Sequence, residues 1–268
     1  MTKLDLSPVV GEITELVRSA GLLALDSFRQ PVAVQNKSGS ESIFKFDPVT
    51  EADRAVEDHL RSGLAELFSD HAIMGEERGE TGTGPWRWVI DPIDGTRAFI
   101  TGQPMWGTLV GLQNDGKPVA GWMYQPALDD MYRAVNGTFE LFSKGDATRV
   151  GASAVTELSD SVMLCTHPSM FAPGPQQDGF SRLAGRVKMT RYSGDCANYG
   201  FLAAGWADLV VENQLAPYDI IPLIPIVEAA GAVITDLDGN CPTHGGFVVA
   251  AATVELHRSA LDVLHDRQ

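Results

Sequence analysis

Cysteine is scarce, with only Cys165, Cys196 and Cys241 in 268 residues. Their wide separations exclude a CxxC redox pair and a zinc-ribbon spacing. A sparse, odd set fits a reducing compartment rather than a disulfide framework. Basic charge is also short: Lys and Arg number 20 against 35 Asp and Glu, for a formal net charge of -15. Nucleic-acid binding rests on cationic neutralisation of phosphates, so this deficit argues against it, and equally against docking on an anionic membrane surface. No run approaches the ~20 apolar residues of a membrane span. The N-terminus, Met1 to Pro8, lacks the apolar core of a signal peptide. Internal repeats, low-complexity tracts and long linkers are missing too. A cytoplasmic enzyme or binding protein is therefore expected. With 44% hydrophobic and 21% charged residues, the chain has the makings of a folded core. Its length suits one large domain or two smaller ones. The acid excess suits a protein that collects metal cations or takes a substrate with a positive group.

The first helix is expected to take Ser7 as N-cap and Pro8 at its first position. Val10, Ile13, Val17, Ala20, Leu23 and Phe28 form its apolar stripe. Residues 29–46 read as a loop or mobile hairpin. A second helix starts near Thr50 and turns Val56, Leu60, Leu64 and Leu67 inward. Strands follow at 86–90, 107–112 and 119–124, the last two joined by the turn Asn114, Asp115, Gly116. Further β signals lie at 131–142 and 147–150. Beyond these, strands (162–165, 187–192, 208–212, 232–235, 246–251) alternate with helices (178–183, 196–204, 220–230, 253–266). That alternation points to α/β layers. A soft boundary near 143–150 divides the chain into halves, 1–145 and 146–268. Pro222 suits a first helical turn, whereas Pro225 should kink the helix after Asp219 or shift its start.

The strongest chemical signal is the run Trp88, Val89, Ile90, Asp91, Pro92, Ile93, Asp94, Gly95, Thr96. An apolar strand delivers Asp91, Pro92 stiffens the turn, and Gly95 allows close backbone approach to a ligand. Backbone N–H groups at the helix start that follows form a seat for phosphate. Two hard oxygen ligands beside an anion site are what Mg²⁺ prefers. Taken alone, the two aspartates serve as well as turn caps. Three other acidic segments carry similar alternatives. Glu76 and Glu77 after Gly75 read as metal ligands or as a solvated loop. Thr50 to Asp53 reads as a capping box. Asp219, after Pro217 and Tyr218, reads as an N-cap.

Together, D-P-I-D-G-T at 91–96, G-E-E at 75–77, D-P-V-T-E-A-D at 47–53 and Y-D at 218–219 resemble the inositol monophosphatase superfamily, Mg²⁺-dependent, Li⁺-sensitive phosphomonoesterases. The resemblance runs from about residue 10 to 250. It implies an α+β fold, a layered α-β-α-β-α sandwich of the inositol monophosphatase and fructose-bisphosphatase type, with the cleft between its halves. It also implies a homodimer and two or three Mg²⁺ per site. By the family pattern Glu76, Asp91, the Ile93 carbonyl, Asp94 and Asp219 hold the metals. Asp94 and the amides of Gly95 and Thr96 take the phosphate. Thr96 orients the attacking water, with Asp53 accepting from its hydroxyl. Lys45 and Glu77 flank the motifs and are carried over as supports of a further metal's water shell.

The resemblance also implies that the C-terminal half selects the alcohol. Gly194, Asp195, Cys196 before a helix, Tyr-Asp at 218–219 and the stretch 94–107 resemble the histidinol-phosphate phosphatase branch. Asp195, Glu212 and Arg191 are the expected substrate contacts, since an acid pairs well with an ammonium or imidazolium. The alternative readings are an N-cap for Asp195 and, more weakly, a strand-end surface acid for Glu212. Inositol 1-phosphate is the alternative substrate. Fructose bisphosphate and a 3′-phosphoadenosine nucleotide would want a basic patch that the C-terminal motifs lack. Asp236, Leu237, Asp238, Gly239 resembles the nucleophile strand of haloacid dehalogenases, but too little chain follows it for that sheet, and a hairpin turn explains it better. A non-catalytic metal-binding protein is a further reading, which the joint presence of Asp53 and Thr96 opposes. His59, His71, His167 and His244 have no ligand spacing and read as surface or packing residues; the cysteines read as buried or incidental.

Overall fold

The computed structural model describes residues 4–31, 33–36, 48–148 and 150–266. Lys45, Asp47 and most of the expected 29–46 loop lie outside them. Helix α1 (Val10–Ser27) begins two residues later than Pro8, with Val9 as its N-cap. Its buried side carries Ile13, Val17, Ala20 and Ala24, steps of three and four along one face. Leu23 is therefore turned outward, 39% exposed, against the expected stripe. Strands β1 (Gln35–Asn36) and β2 (Pro48–Val49) form a small antiparallel pair. Helix α2 (Glu51–Leu67) starts at Thr50 as expected and buries Val56, Leu60 and Leu64.

An eight-stranded sheet follows. It comprises β3 (Ala72–Gly75), β4 (Gly79–Thr81), β5 (Trp86–Asp94), β6 (Gly107–Asn114), β7 (Lys117–Gln125), β8 (Asp130–Val135), β9 (Thr138–Ser143) and β10 (Asp146–Thr148), with a short helix α3 (Thr96–Ile100) after β5. Its order is β10-β9-β8-β7-β6-β5-β3-β4, antiparallel except for β3 beside β5. Asp115 (φ 48°) and Gly116 (φ 77°) turn β6 into β7, the left-handed pair that a two-residue hairpin needs. Residue 145 lies in the turn between β9 and β10, which pair from Ser143 to Asp146. The chain leaves this sheet after Thr148.

The second sheet has five strands in the order β12-β11-β13-β15-β14. In chain order its elements are β11 (Val162–Cys165), α4 (Pro175–Ala184), β12 (Met189–Tyr192), α5 (Ala197–Ala203), β13 (Leu209–Leu215), α6 (Pro217–Ile220), α7 (Leu223–Ala229), β14 (Val233–Thr235), β15 (Gly246–Ala251) and α8 (Val254–Leu264). Successive strand residues face opposite sides, and the cores follow that rule. Leu164, Val210, Val248 and Ala250 pack with α5 and α7 against Leu109, Met123 and Tyr132 of the first sheet. Met163, Cys165, Leu209, Val211, Val249 and Ala251 pack on the other side with α4 and α8. Helices α1 and α2 cover the far face of the first sheet through Ile13, Val17, Leu60 and Leu64. The layers are α-β-α-β-α, as the family resemblance implied. No described helix is long and apolar enough to cross a membrane.

The helix expected at 220–230 is broken in two. Pro222 is the N-cap of α7 and Pro225 falls within its first turn, where an amide N–H has no helical partner to lose. The break rests on two glycines opposite each other on β6 and β7, Gly111 and Gly121. A Cβ at Gly111 would stand 2.9 Å from Pro222 Cα, and one at Gly121 only 1.9 Å from the Pro222 carbonyl oxygen. Only bare backbone lets the segment carrying Asp219 lie this close to the first sheet.

Candidate active site

Asp91 and Asp94 are three apart in β5 and would face opposite sides of a regular strand. The register against β6 jumps from Asp91 opposite Leu109 to Asp94 opposite Gly107, an extra residue in β5. Such a bulge re-aims side chains. The Thr108 hydroxyl donates to the Pro92 carbonyl inside it at 2.9 Å, and the Ile93 N–H donates to Asp91 Oδ1 at 3.1 Å. With Asp219 from α6, the two aspartates each offer a carboxylate oxygen, all within 4.8 Å of one another. The Ala216 N–H donates to Asp219 Oδ2 at 2.7 Å; Ala216, not Asp219, is the N-cap of α6, and Asp219 bonds back to it from the third helical position. Gly95 follows with φ 85°, and a Cβ there would meet the Met105 carbonyl oxygen at 2.8 Å.

Glu76 arrives on the end of β3, its N–H donating to the Ile90 carbonyl at 3.3 Å. The next two amides, of Glu77 and Arg78, donate to the buried Glu57 carboxylate at 2.6 and 3.0 Å. Arg61, one turn along α2, donates to that carboxylate at 2.7 Å. A Cβ at Gly75 would sit 2.2 Å from Glu57 Oε1. Glu57 thus shapes the loop that presents Glu76. Sequence reasoning passed it over, although Glu57 and Arg61 stand at ion-pair spacing on a helix.

Asp53 is buried and forms the capping box, its Oδ2 accepting from the Thr50 N–H and hydroxyl at 2.8 and 2.6 Å. The Thr96 hydroxyl was expected to donate to Asp53. Among the described residues it donates instead to the Ile93 carbonyl at 3.0 Å, three residues back in its own turn.

The acids crowd one another. Burial pushes the Asp91 carboxyl well above the usual range, and the charges of Glu76, Asp94, Asp219 and Asp53 add to the effect. Burial and Asp219 raise Asp94 to about 7, against donors on Cys196 that pull the other way. Burial likewise raises Asp219 to about 7, opposed by the Ala216 amide and reinforced by Glu76. A buried all-carboxylate set is relieved either by protons or by cations. Its hard oxygen donors fit Mg²⁺ or a similar divalent ion rather than zinc.

Glu76, Asp91, Asp94 and Asp219 line a cleft of about 260 Å³, and Asp53 is not in its lining. The second half also supplies Asp195, Cys196 and Glu212 to the same cleft. Asp195 does not cap α5: Cys196 holds that position, with no side-chain cap bond, and Asp195 itself has φ 46°. Burial raises its carboxyl, with Asp94 and Glu212 adding and Arg97 opposing. Nor is Glu212 a surface acid, being 2% exposed. Its Oε1 accepts from the Thr166 N–H and hydroxyl at 3.0 and 2.6 Å and from Asn198 Nδ2 at 2.9 Å. A Cβ at Gly194 would collide with Asn198 Oδ1 at 1.8 Å. Thr166 and Asn198 are further residues that sequence reasoning missed; Thr166 stands where an α/β site is sought, just past the C-terminal end of a strand.

One expectation fails here. Arg191 is exposed on β12, the edge strand, and is not among the residues lining the cleft. His167 is exposed, within the surface-or-packing reading, and borders the cleft, its Nδ1 accepting from the Ser169 N–H at 3.0 Å. Cys165 and Cys196 are buried, as expected, Cys196 also lining the cleft, and Cys241 is exposed. The hairpin reading of Asp236 holds: β14 and β15 pair antiparallel, and Asp236 Oδ1 accepts from the Asp238 and Asn240 amides at 2.9 and 2.8 Å.

The sequence matches the inositol monophosphatase family over residues 5–267. It is 38% identical over 226 residues to the histidinol-phosphatase of Streptomyces coelicolor, covering 82% of this chain and 85% of that one. It is 35% identical over 249 residues to the histidinol-phosphatase of Chlorobaculum parvum, covering 92% and 93%. Among solved structures, an inositol monophosphatase from Zymomonas mobilis superposes with a TM-score of 0.83 at 30% identity, covering 98% of this chain and 99% of that one. The chain belongs to the inositol monophosphatase family and is a phosphoric monoester hydrolase.

Proposed function

We propose that the enzyme hydrolyses L-histidinol phosphate with Mg²⁺. The observation that carries this reading is the pair of acids, half-buried Asp195 and buried Glu212, in the same cleft as the aspartate cluster. An alcohol bearing an ammonium and an imidazole offers cationic donors to such a pair; inositol offers only hydroxyls. The similarity to two histidinol-phosphatases, at 35% and 38% identity, supports the same choice.

Glu76, Asp91, Asp94, Asp219 and the Ile93 carbonyl would hold two or three Mg²⁺. Bound there, the ions would supply Lewis-acid charge and lower the pKa of water. The chain's own groups do the rest. The amides of Gly95 and Thr96 face the phosphate, and the glycine leaves room for it to approach. The Thr96 hydroxyl gives its proton to Ile93, so its lone pairs accept from an incoming water and aim it. Asp53 and Glu76 add negative charge that favours deprotonation of that water. Asp195 and Glu212 hold the leaving alcohol by its cationic groups.

Comparing kcat/KM for histidinol phosphate, inositol 1-phosphate, fructose bisphosphate and a 3′-phosphoadenosine nucleotide tests the reading. Histidinol phosphate should lead by at least about tenfold, roughly 1.4 kcal/mol in transition-state binding. Asp195→Ala should raise KM for it far more than for an aryl phosphate. A tenfold lead for inositol 1-phosphate, or equal effects of Asp195→Ala on both esters, would overturn it.

A further inference from the structure

We infer that Thr166 is the positioning residue that holds the two alcohol-selecting acids in register. The inference rests on the proposed role of Asp195 and Glu212. Thr166 follows β11 directly and spends all of its polar groups on these two acids and the loop that leads into Asp195. Its N–H and hydroxyl both donate to Glu212 Oε1, at 3.0 and 2.6 Å. The same hydroxyl accepts from the Asp195 N–H at 3.0 Å, and its carbonyl accepts from the Ser193 N–H at 3.0 Å. A hydroxyl has one proton. Because Glu212 can only accept when ionised, that proton goes to the carboxylate, and a lone pair is left for Asp195. One side chain thereby ties the carboxylate of the first acid to the backbone of the second.

The loop needs such a tie. Ser193 (φ 72°) and Asp195 (φ 46°) both occupy the left-handed region without being glycine, a conformation that surrounding contacts must impose. The two Thr166 bonds land on the amides of these two residues. Asp195 then rests against Gly95, whose missing side chain opens the space: a Cβ there would stand 3.1 Å from Asp195 Cβ. The distance between the two acids, and from each to the aspartate cluster, is thus set through a residue that carries no charge. Val has nearly the shape of Thr and lacks the hydroxyl; Ser keeps the hydroxyl and loses the methyl. The pair separates hydrogen bonding from packing.

The experiment compares the parent enzyme with Thr166→Val and Thr166→Ser, with Mg²⁺ present. Kinetics are read on histidinol phosphate and p-nitrophenyl phosphate, and hydrogen exchange on the amides of 193–196. In Thr166→Val the ratio of kcat/KM for histidinol phosphate over p-nitrophenyl phosphate should fall about tenfold, through KM rather than kcat. The Asp195 amide should exchange at least about tenfold faster, having lost its acceptor. Thr166→Ser should restore both to within about twofold of the parent. Equal loss on both esters, or a Ser variant as impaired as Val, would overturn the inference and leave Thr166 a packing residue. Unchanged exchange at Asp195 would overturn it whatever the kinetics. Failure of the substrate reading is recognised separately: Asp195→Ala would then affect both esters alike, while exchange in Thr166→Val would still report the tie.

Discussion

At the scale of single residues, Asp91 occupies the most crowded electrostatic position, buried and facing four other acids. Asn in its place removes a charge that water cannot solvate and keeps an oxygen for the Ile93 amide. Asp91→Asn should therefore melt a few degrees higher than the parent in EDTA, since an uncompensated buried charge is costly. Its Mg²⁺-dependent phosphate release should drop at least about a hundredfold, because a ligand is gone. Calorimetry on chelator-dialysed protein and a release assay read the two halves; a variant that melts lower and still turns over contradicts both. The family likeness made this residue legible, since spacing alone left Asp91 and Asp94 as turn caps or ligands. The bulge that turns them to one side leaves no mark in composition, because β5 reads as one apolar run into an acid. Arg191 misled for the opposite reason. It lies two residues from the Ser193 loop, but it is exposed on the edge strand of its sheet.

At the scale of elements, the seat of the α6–α7 break matters most. Gly121→Ala would drive a methyl into the Pro222 carbonyl, and backbone cannot swing aside as a side chain can. Overpacking of this kind costs about 3 kcal/mol. The displaced α6 should also carry Asp219 off the cluster and weaken Mg²⁺ binding. A denaturant melt and a Mg²⁺ titration of the same variant check both; lost stability with unchanged Mg²⁺ affinity would separate the seat from the site. Helix α2 was legible in full, because Thr50 caps it and Val56, Leu60 and Leu64 keep strict helical spacing. Pro222 and Pro225 announced a disturbance after Asp219, and the structure resolves it as a second helix start. Leu23 was misassigned because Leu22, Leu23 and Leu25 crowd one turn, and the inward position fell instead to the smaller Ala24. Thr166 and Asn198 could not stand out, since one polar residue at a strand end or in a short helix has no period.

At the scale of the whole molecule, acids from both halves meet at the seam between two sheets, and pH should act there in a definite direction. Asp94 and Asp219 are raised to about 7 in the metal-free fold, against an ordinary carboxylate value near 4. Between those values the folded state binds more protons than the unfolded one. These two groups therefore stabilise the metal-free protein most at low pH, and their contribution is lost as pH rises from about 4 to about 7. Mg²⁺ competes with those protons, so the rise in Tm on adding it should be larger at pH 8 than at pH 5.5. An equal shift at both values would mean that the acids bind the ion without having been protonated. The seam has a consequence for biosynthesis as well. Asp53, Glu76, Asp91 and Asp94 leave the ribosome long before Asp219, which β11 to β13 precede. A nascent chain would carry an acidic pocket open on one side for more than a hundred codons, closing only when translation reaches α6.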